Sequence, residues 1–168
     1  MASTAAPTYV VSTTARLAAP PNRVYATIAN YHTGHPHIVP RQFSGMAVEE
    51  GGIGEGTRIR FQVRVLGTTT HFRAVVTEPE PGRVLVERNI AGSDSVTTFT
   101  VDPGPTPGES TVTISTEFSV KPGLAGRIER FLTPRILRPM YAEELRRLEA
   151  QARASDPART AAPATARA

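Results

Sequence analysis

The chain has 168 residues, with 19 Lys and Arg against 15 Asp and Glu and no cysteine. That length fits one domain with a substantial core and is short for two. The missing cysteines exclude disulfides, thiolate zinc sites and cysteine nucleophiles, with a reducing cytoplasm as the simplest setting.

The net charge of +4 does not point to nucleic acid. The last eighteen residues carry Arg153, Arg159 and Arg167 against Asp156, and the arginines of the body are scattered singly, not gathered into a phosphate-binding stripe. The opening MASTAAPTYVV lacks a basic segment followed by an apolar run, and about eighteen consecutive apolar residues occur nowhere. Neither export nor stable membrane insertion is expected.

In chain order, residues 1–7 and 151–168 are poor in bulky apolar side chains and are expected to be disordered extensions around one domain at 8–150. TYVVSTTARL reads as a strand through its β-branched residues. APPNRVYATIAN follows as a short helix, entered through Pro-Pro and carrying apolar Val24, Tyr25 and Ile28. After the histidine-rich YHTGHPHI the middle of the chain alternates with period two, so that in RIRFQVRV the arginines and Gln62 share one face and Ile59, Phe61, Val63 and Val65 the other. HFRAVVTEPEPGRVLVERN gives two strands around a Pro/Gly turn, and SVTTFTVDPGPTPGESTVTISTEFSV gives another pair. Seven strands are counted, six of them consecutive.

GLAGRIERFLTPRILRPMYAEELRRLEA changes the period: Leu124, Ile128, Phe131 and Leu132 fall at i, i+4, i+7 and i+8, and Tyr141, Leu145 and Leu148 continue the stripe. A long amphipathic helix is expected. Pro134 and Pro139 each remove a backbone donor, which predicts a kink, or a restart with Thr133 as N-cap. Strand, short helices, six antiparallel strands and a final helix pack best as an α+β fold, a curved seven-stranded sheet wrapped around the helix. Curvature holds the two layers apart in the middle, which leaves an apolar cavity suited to a small ligand.

The order of VVSTTARLAAPPNRVYATIANYH, GGIGEGTRIRF, VVTEPEPGRVLVER, TTFTVDP and EELRRLEA resembles the helix-grip superfamily (SRPBCC), typified by the birch-pollen allergen, START lipid-transfer domains and polyketide cyclases. The resemblance runs from about Tyr9 to Ala150 and no single motif decides it. It implies two short helices after the first strand and a cavity for lipids, sterols or polyketides. It does not imply one reaction, since members of one fold range from carriers to aromatase/cyclases.

GGIGEGT lacks the GK[ST] ending of a phosphate loop and lies between strands, so it reads as a glycine-rich turn. His32, His35 and His37 suggest a metal cluster, but their spacing around Pro36 is poor and no acidic residue lies between Thr27 and Val48, so no metal or other cofactor is expected. Two readings of the stretch stay open. One is a solvated loop; the other, implied by the resemblance, is a cavity rim where Tyr31, His35 or His37 meets ligand and serves acid/base chemistry. Arg60, Arg64, Arg73 and Glu117 are expected on the outer face.

The apolar faces nominate Phe61, Val63, Phe72, Ala74, Phe99, Val101 and Ile114 from the sheet, with Leu137 and Tyr141 from the helix, as ligand-lining residues. The leading expectation is a cytoplasmic binding or transport module for an apolar small molecule, oriented by Tyr31, His35 and Tyr141. The first alternative is a polyketide cyclase/dehydratase-type enzyme using His35 or His37 as base with Tyr31 or Tyr141 steadying an enolate. The second is an interaction domain without ligand.

Overall fold

The computed structural model describes residues 6–155. The alternating segments form β1 (Thr8–Leu17), β2 (Phe43–Glu50), β3 (Arg58–Val65), β4 (Thr68–Glu80), β5 (Val84–Ala91), β6 (Ser95–Pro103) and β7 (Ser110–Ser119). Helices α1 (Pro21–Ala29) and α2 (His35–Ile38) separate β1 from β2, and α3 (Gly123–Ala154) follows β7. The strands make one antiparallel sheet in the order β1-β7-β6-β5-β4-β3-β2. Neighbours in sequence are hairpins, while β1 pairs with β7 along its whole length, from Thr8 opposite Ser119 to Leu17 opposite Ser110.

Period two decides which face is which. Ile59 and Phe61 are buried on the concave side, and Arg58, Arg60 and Arg64 between them are exposed, as are Arg73 and Glu117 on their strands. Register shifts in β2, between Ser44 and Ala47 and between Val48 and Glu50, and in β4, between Thr77 and Glu80, curve the sheet toward the helix layer. This is the helix-grip arrangement that the resemblance implied. The core gathers where α1, α2 and the C-terminal half of α3 meet the sheet, with Val11, Leu17, Val24, Ile28, Ile38, Leu145, Leu148 and Ala152 in one cluster. Burial of each large side chain contributes about 1.5–3 kcal/mol.

Two expectations for α3 need correction. The helix neither breaks nor restarts: both prolines lie inside one 32-residue helix. Thr133 is not an N-cap; its hydroxyl donates to the Glu129 carbonyl at 2.7 Å, and Arg135 Nη1 donates to the Phe131 carbonyl at 2.7 Å. Side-chain donors thus serve carbonyls on either side of the one that Pro134 leaves without an N–H. The first half of the apolar stripe also does not pack on the sheet, for Leu124 is 72% exposed, and Ile128, Phe131 and Leu132 are exposed as well.

At its far end α3 runs past the expected boundary at Ala150 to Ala154, and Ala152 is fully buried. Of the segments expected to be disordered, residues 1–5 and 156–168 lie outside the described residues.

Candidate functional site

Between the concave face and the middle of α3 lies a cavity of about 230 Å³. Its apolar wall is largely phenylalanine. Phe61 stacks between Phe43 and Phe72, with ring centroids 5.6 and 5.3 Å apart, and Phe99 and Phe118 complete the lining. Val63, Ile114 and Leu137 fill the gaps.

One end of the cavity is polar, and the turn after α1 builds it. Asn30 Oδ1 accepts the backbone N–H groups of His32 and Thr33 at 3.0 Å, and its carbonyl accepts those of Gly34 and His35. This tight reversal brings α2 so close to α1 that a Cβ on Gly34 would stand 2.2 Å from the Thr27 carbonyl oxygen. The GGIGEGT segment straps the reversal in place: Tyr31 N–H donates to the Gly52 carbonyl and Gly54 N–H to the Ala29 carbonyl, each at 2.9 Å. A Cβ at Gly52, whose φ is +123°, would overlap the His32 ring. The glycines here admit close backbone approach and do not cradle a phosphate.

Held this way, His35 is 2% exposed and its ring stacks on Tyr31 at 4.5 Å. Its Nδ1–H donates to the Ile28 carbonyl at 2.8 Å, which leaves Nε2 3.4 Å from Glu87 Oε1. The Tyr31 hydroxyl donates to that same oxygen at 2.6 Å. Burial and then the Glu87 charge raise the Tyr31 phenol well above its ordinary value, so it stays a donor. Across the cavity, α3 contributes Tyr141 and Glu144. The Tyr141 hydroxyl is hydrogen-bonded to Thr116, which in turn meets Thr97 at 2.8 Å. The Glu144 carboxyl is pushed well above the usual carboxylate range, first by burial and then by the Glu87 charge. Asn89 Nδ2 donates to Ser95 Oγ at 2.8 Å and extends the polar row along the sheet.

Of the residues nominated from sequence, His35, Phe61, Val63, Phe72, Phe99, Ile114, Leu137 and Tyr141 line the cavity. Tyr31 stands behind His35 and reaches the site through Glu87. His37 does not belong: two positions along the turn put it on the opposite side of α2 from His35, in solvent. Ala74 and Val101 share the concave face but are packed into the core and do not line the cavity. Alternation selects a face; it does not say where on that face space stays open. Among the described residues no group of three or more His, Asp or Glu is placed to hold a metal ion.

Residues 8–153 match the family described as polyketide cyclase / dehydrase and lipid transport. The chain belongs to this family. Several solved structures share its architecture. The KanY protein is 27% identical, with 88% of this chain and 99% of that one covered at a TM-score of 0.75. The Zhui aromatase/cyclase from Streptomyces sp. R1128 is 16% identical, with 90% and 98% covered at 0.73. A START superfamily protein from Mycobacterium smegmatis is 17% identical, with 88% and 99% covered at 0.68. No curated protein matches the chain.

Family membership does not identify the polar end, and sequence reasoning missed its two carboxylates. The signals were present. Glu87 alternates with Leu85, which is fully buried, and so shares its concave face. Glu144 falls between Tyr141 and Leu148 at helical spacing, on the stripe that turns inward.

Proposed function

We propose that the chain binds an apolar small molecule in the cavity between sheet and α3, with the ligand's polar end at His35, Glu87 and Glu144. The observation that carries this reading is the cavity itself, an open space walled by phenylalanines where a merely structural core would be close-packed. The family description, which includes lipid transport, supports it. The absence of cysteine supports a cytoplasmic setting. Native mass spectrometry of protein purified without organic solvent tests it: a non-covalent adduct that leaves on denaturation is expected, and a bare chain that also takes up no added apolar probe would contradict it.

A second reading, an acid/base enzyme of the cyclase/dehydratase type, is favoured by one specific observation. His35 is oriented by Ile28 so that Nε2 lies beside Glu87 at the cavity, and Glu144, whose proton affinity burial raises, lines the same space. In an aldol closure Nε2 would take the proton α to one carbonyl, the new carbon–carbon bond would form at a second carbonyl, and Glu144 would protonate the resulting alkoxide. Loss of water would follow, the Glu144 carboxylate taking the second α proton and the His35 imidazolium giving its Nε2 proton to the departing hydroxyl, which returns both groups to their starting states. The Zhui protein is an aromatase/cyclase, which makes the reaction class reasonable for this fold. Deuterium exchange into 1-phenyl-2-propanone followed by NMR separates the two readings. An enzyme exchanges the α-protons above the buffer rate and loses about tenfold or more of that rate in His35→Ala, whereas a carrier leaves the buffer rate unchanged.

A further inference from the structure

The charge of the ligand is written into the cavity wall. Glu144 is 4% exposed, its side chain lines the cavity, and it has no hydrogen-bond or ion-pair partner among the described residues. Buried carboxyl groups are ordinarily paired, because leaving one unpartnered costs the full desolvation of the group. Glu87 lines the same space, yet no lysine or arginine does; Glu129, at the margin, is already paired with Lys121 at 2.8 Å. The one basic ring, His35, already has Ile28 on Nδ1 and Glu87 near Nε2. The same cavity is lined by five phenylalanines, Phe43, Phe61, Phe72, Phe99 and Phe118. An aromatic-walled cavity with two carboxyl groups, one beside a single imidazole and neither lined by lysine or arginine, favours an organic cation through charge-assisted hydrogen bonds to the acids.

We propose that the cavity selects a small apolar amine, its ammonium group meeting Glu144 and Glu87 and its hydrocarbon body lying among the phenylalanines. The inference rests on the reading of the cavity as a binding site and names the class of its ligand. A carboxylate or phosphate would meet like charge and find no cation. A neutral alcohol or ketone could hydrogen-bond to Glu144 but would bring no positive charge to Glu87, which has only the Tyr31 hydroxyl and the His35 ring beside it. An ammonium supplies up to three N–H donors and the missing positive charge at once.

The test uses the full chain with N-phenyl-1-naphthylamine, an uncharged dye that fluoresces out of water, as reporter. At neutral pH, 2-phenylethylamine, 2-phenylethanol and phenylacetate, one skeleton with three charges, compete for the dye. The amine is expected to displace it at about tenfold lower concentration than the alcohol, with phenylacetate weakest. Glu144→Gln should still bind the dye but bring amine and alcohol within about twofold of each other, and Glu87→Gln should reduce the preference in the same direction. Alcohol or phenylacetate competing as well as the amine would overturn the proposal, as would a full amine preference in both variants. If the dye binds and the amine fails to displace it, the amine proposal falls alone. If the dye does not bind the unaltered chain, the cavity reading falls and takes the proposal with it.

Discussion

The two halves of α3 carry apolar residues at the same helical spacing and meet opposite fates. In the first half Leu124, Ile128, Phe131 and Leu132 face solvent; in the second, Met140, Tyr141, Leu145 and Leu148 are buried against β1, α1 and α2. Leu124 and Glu144, like Ile128 and Leu148, are twenty positions apart, which at 100° per residue places them roughly 200° apart around the axis. The helix therefore carries two stripes on different faces. Only the second is turned inward, and the cavity opens where it passes the middle of the sheet. Periodicity establishes which residues share a face; the partner layer decides which face is covered.

Matched truncations in the two halves give the largest expected difference. Leu148→Ala should cost about 2–5 kcal/mol in urea denaturation, and Ile128→Ala should stay within about 0.5 kcal/mol. Equal losses would mean that both stripes are packed.

Next comes the pH dependence of the inward stripe. The Glu144 carboxyl is surrounded by Glu87 from β5, His35 from α2, Tyr31 behind it and Tyr141 from its own helix, and its proton affinity is raised in the fold by burial and by Glu87. The folded state therefore keeps this proton at pH values where the unfolded chain has released it, so the contribution is fully present below the ordinary carboxylate range and is lost as pH rises through the folded value. Melting temperature measured from acidic to mildly alkaline pH should fall less steeply in Glu144→Gln than in the unaltered chain. A parallel fall in both would remove Glu144 from the account.

A smaller effect is expected at Tyr141, where Phe deletes one hydroxyl from the Thr97–Thr116–Tyr141 chain and leaves Thr116 still bonded to Thr97. The loss should be about 1 kcal/mol by the same denaturation measurement. Smallest of all is Phe131→Ala on the outward stripe, which removes the ring beneath the Arg135 guanidinium, 3.6 Å from its centroid, and should change stability by about 0.5 kcal/mol or less.

The strands and the long helix were legible because period two and period 3.6 are imposed by backbone geometry on any chain with one wet and one dry face. RIRFQVRV shows this plainly, with its arginines exposed and Ile59 and Phe61 buried. His35 could be nominated from a crowded stretch, but only folding separates it from His37, because a half-turn of helix sends neighbouring rings in opposite directions. The carboxylates were overlooked for a different reason. A glutamate between Val86 and Arg88, or in EELRRLEA, is usually a solvated charge. Glu87 and Glu144 become a site only when curvature brings β5 and α3 to one cavity. The prolines misled in one respect, since the helix does not restart at Thr133 and, beside Pro134, the Thr133 and Arg135 side chains donate to the neighbouring carbonyls.

The central claim is that the space under α3 is a binding cavity and not a packing defect. Titration of the chain with N-phenyl-1-naphthylamine, in parallel with Leu137→Trp, tests it most directly, because Leu137 is a half-buried cavity residue whose enlargement fills the space. A saturable one-to-one fluorescence rise is predicted, weakened about tenfold or more in Leu137→Trp while the melting temperature holds. No saturable rise, or binding that the tryptophan leaves unchanged, would contradict it.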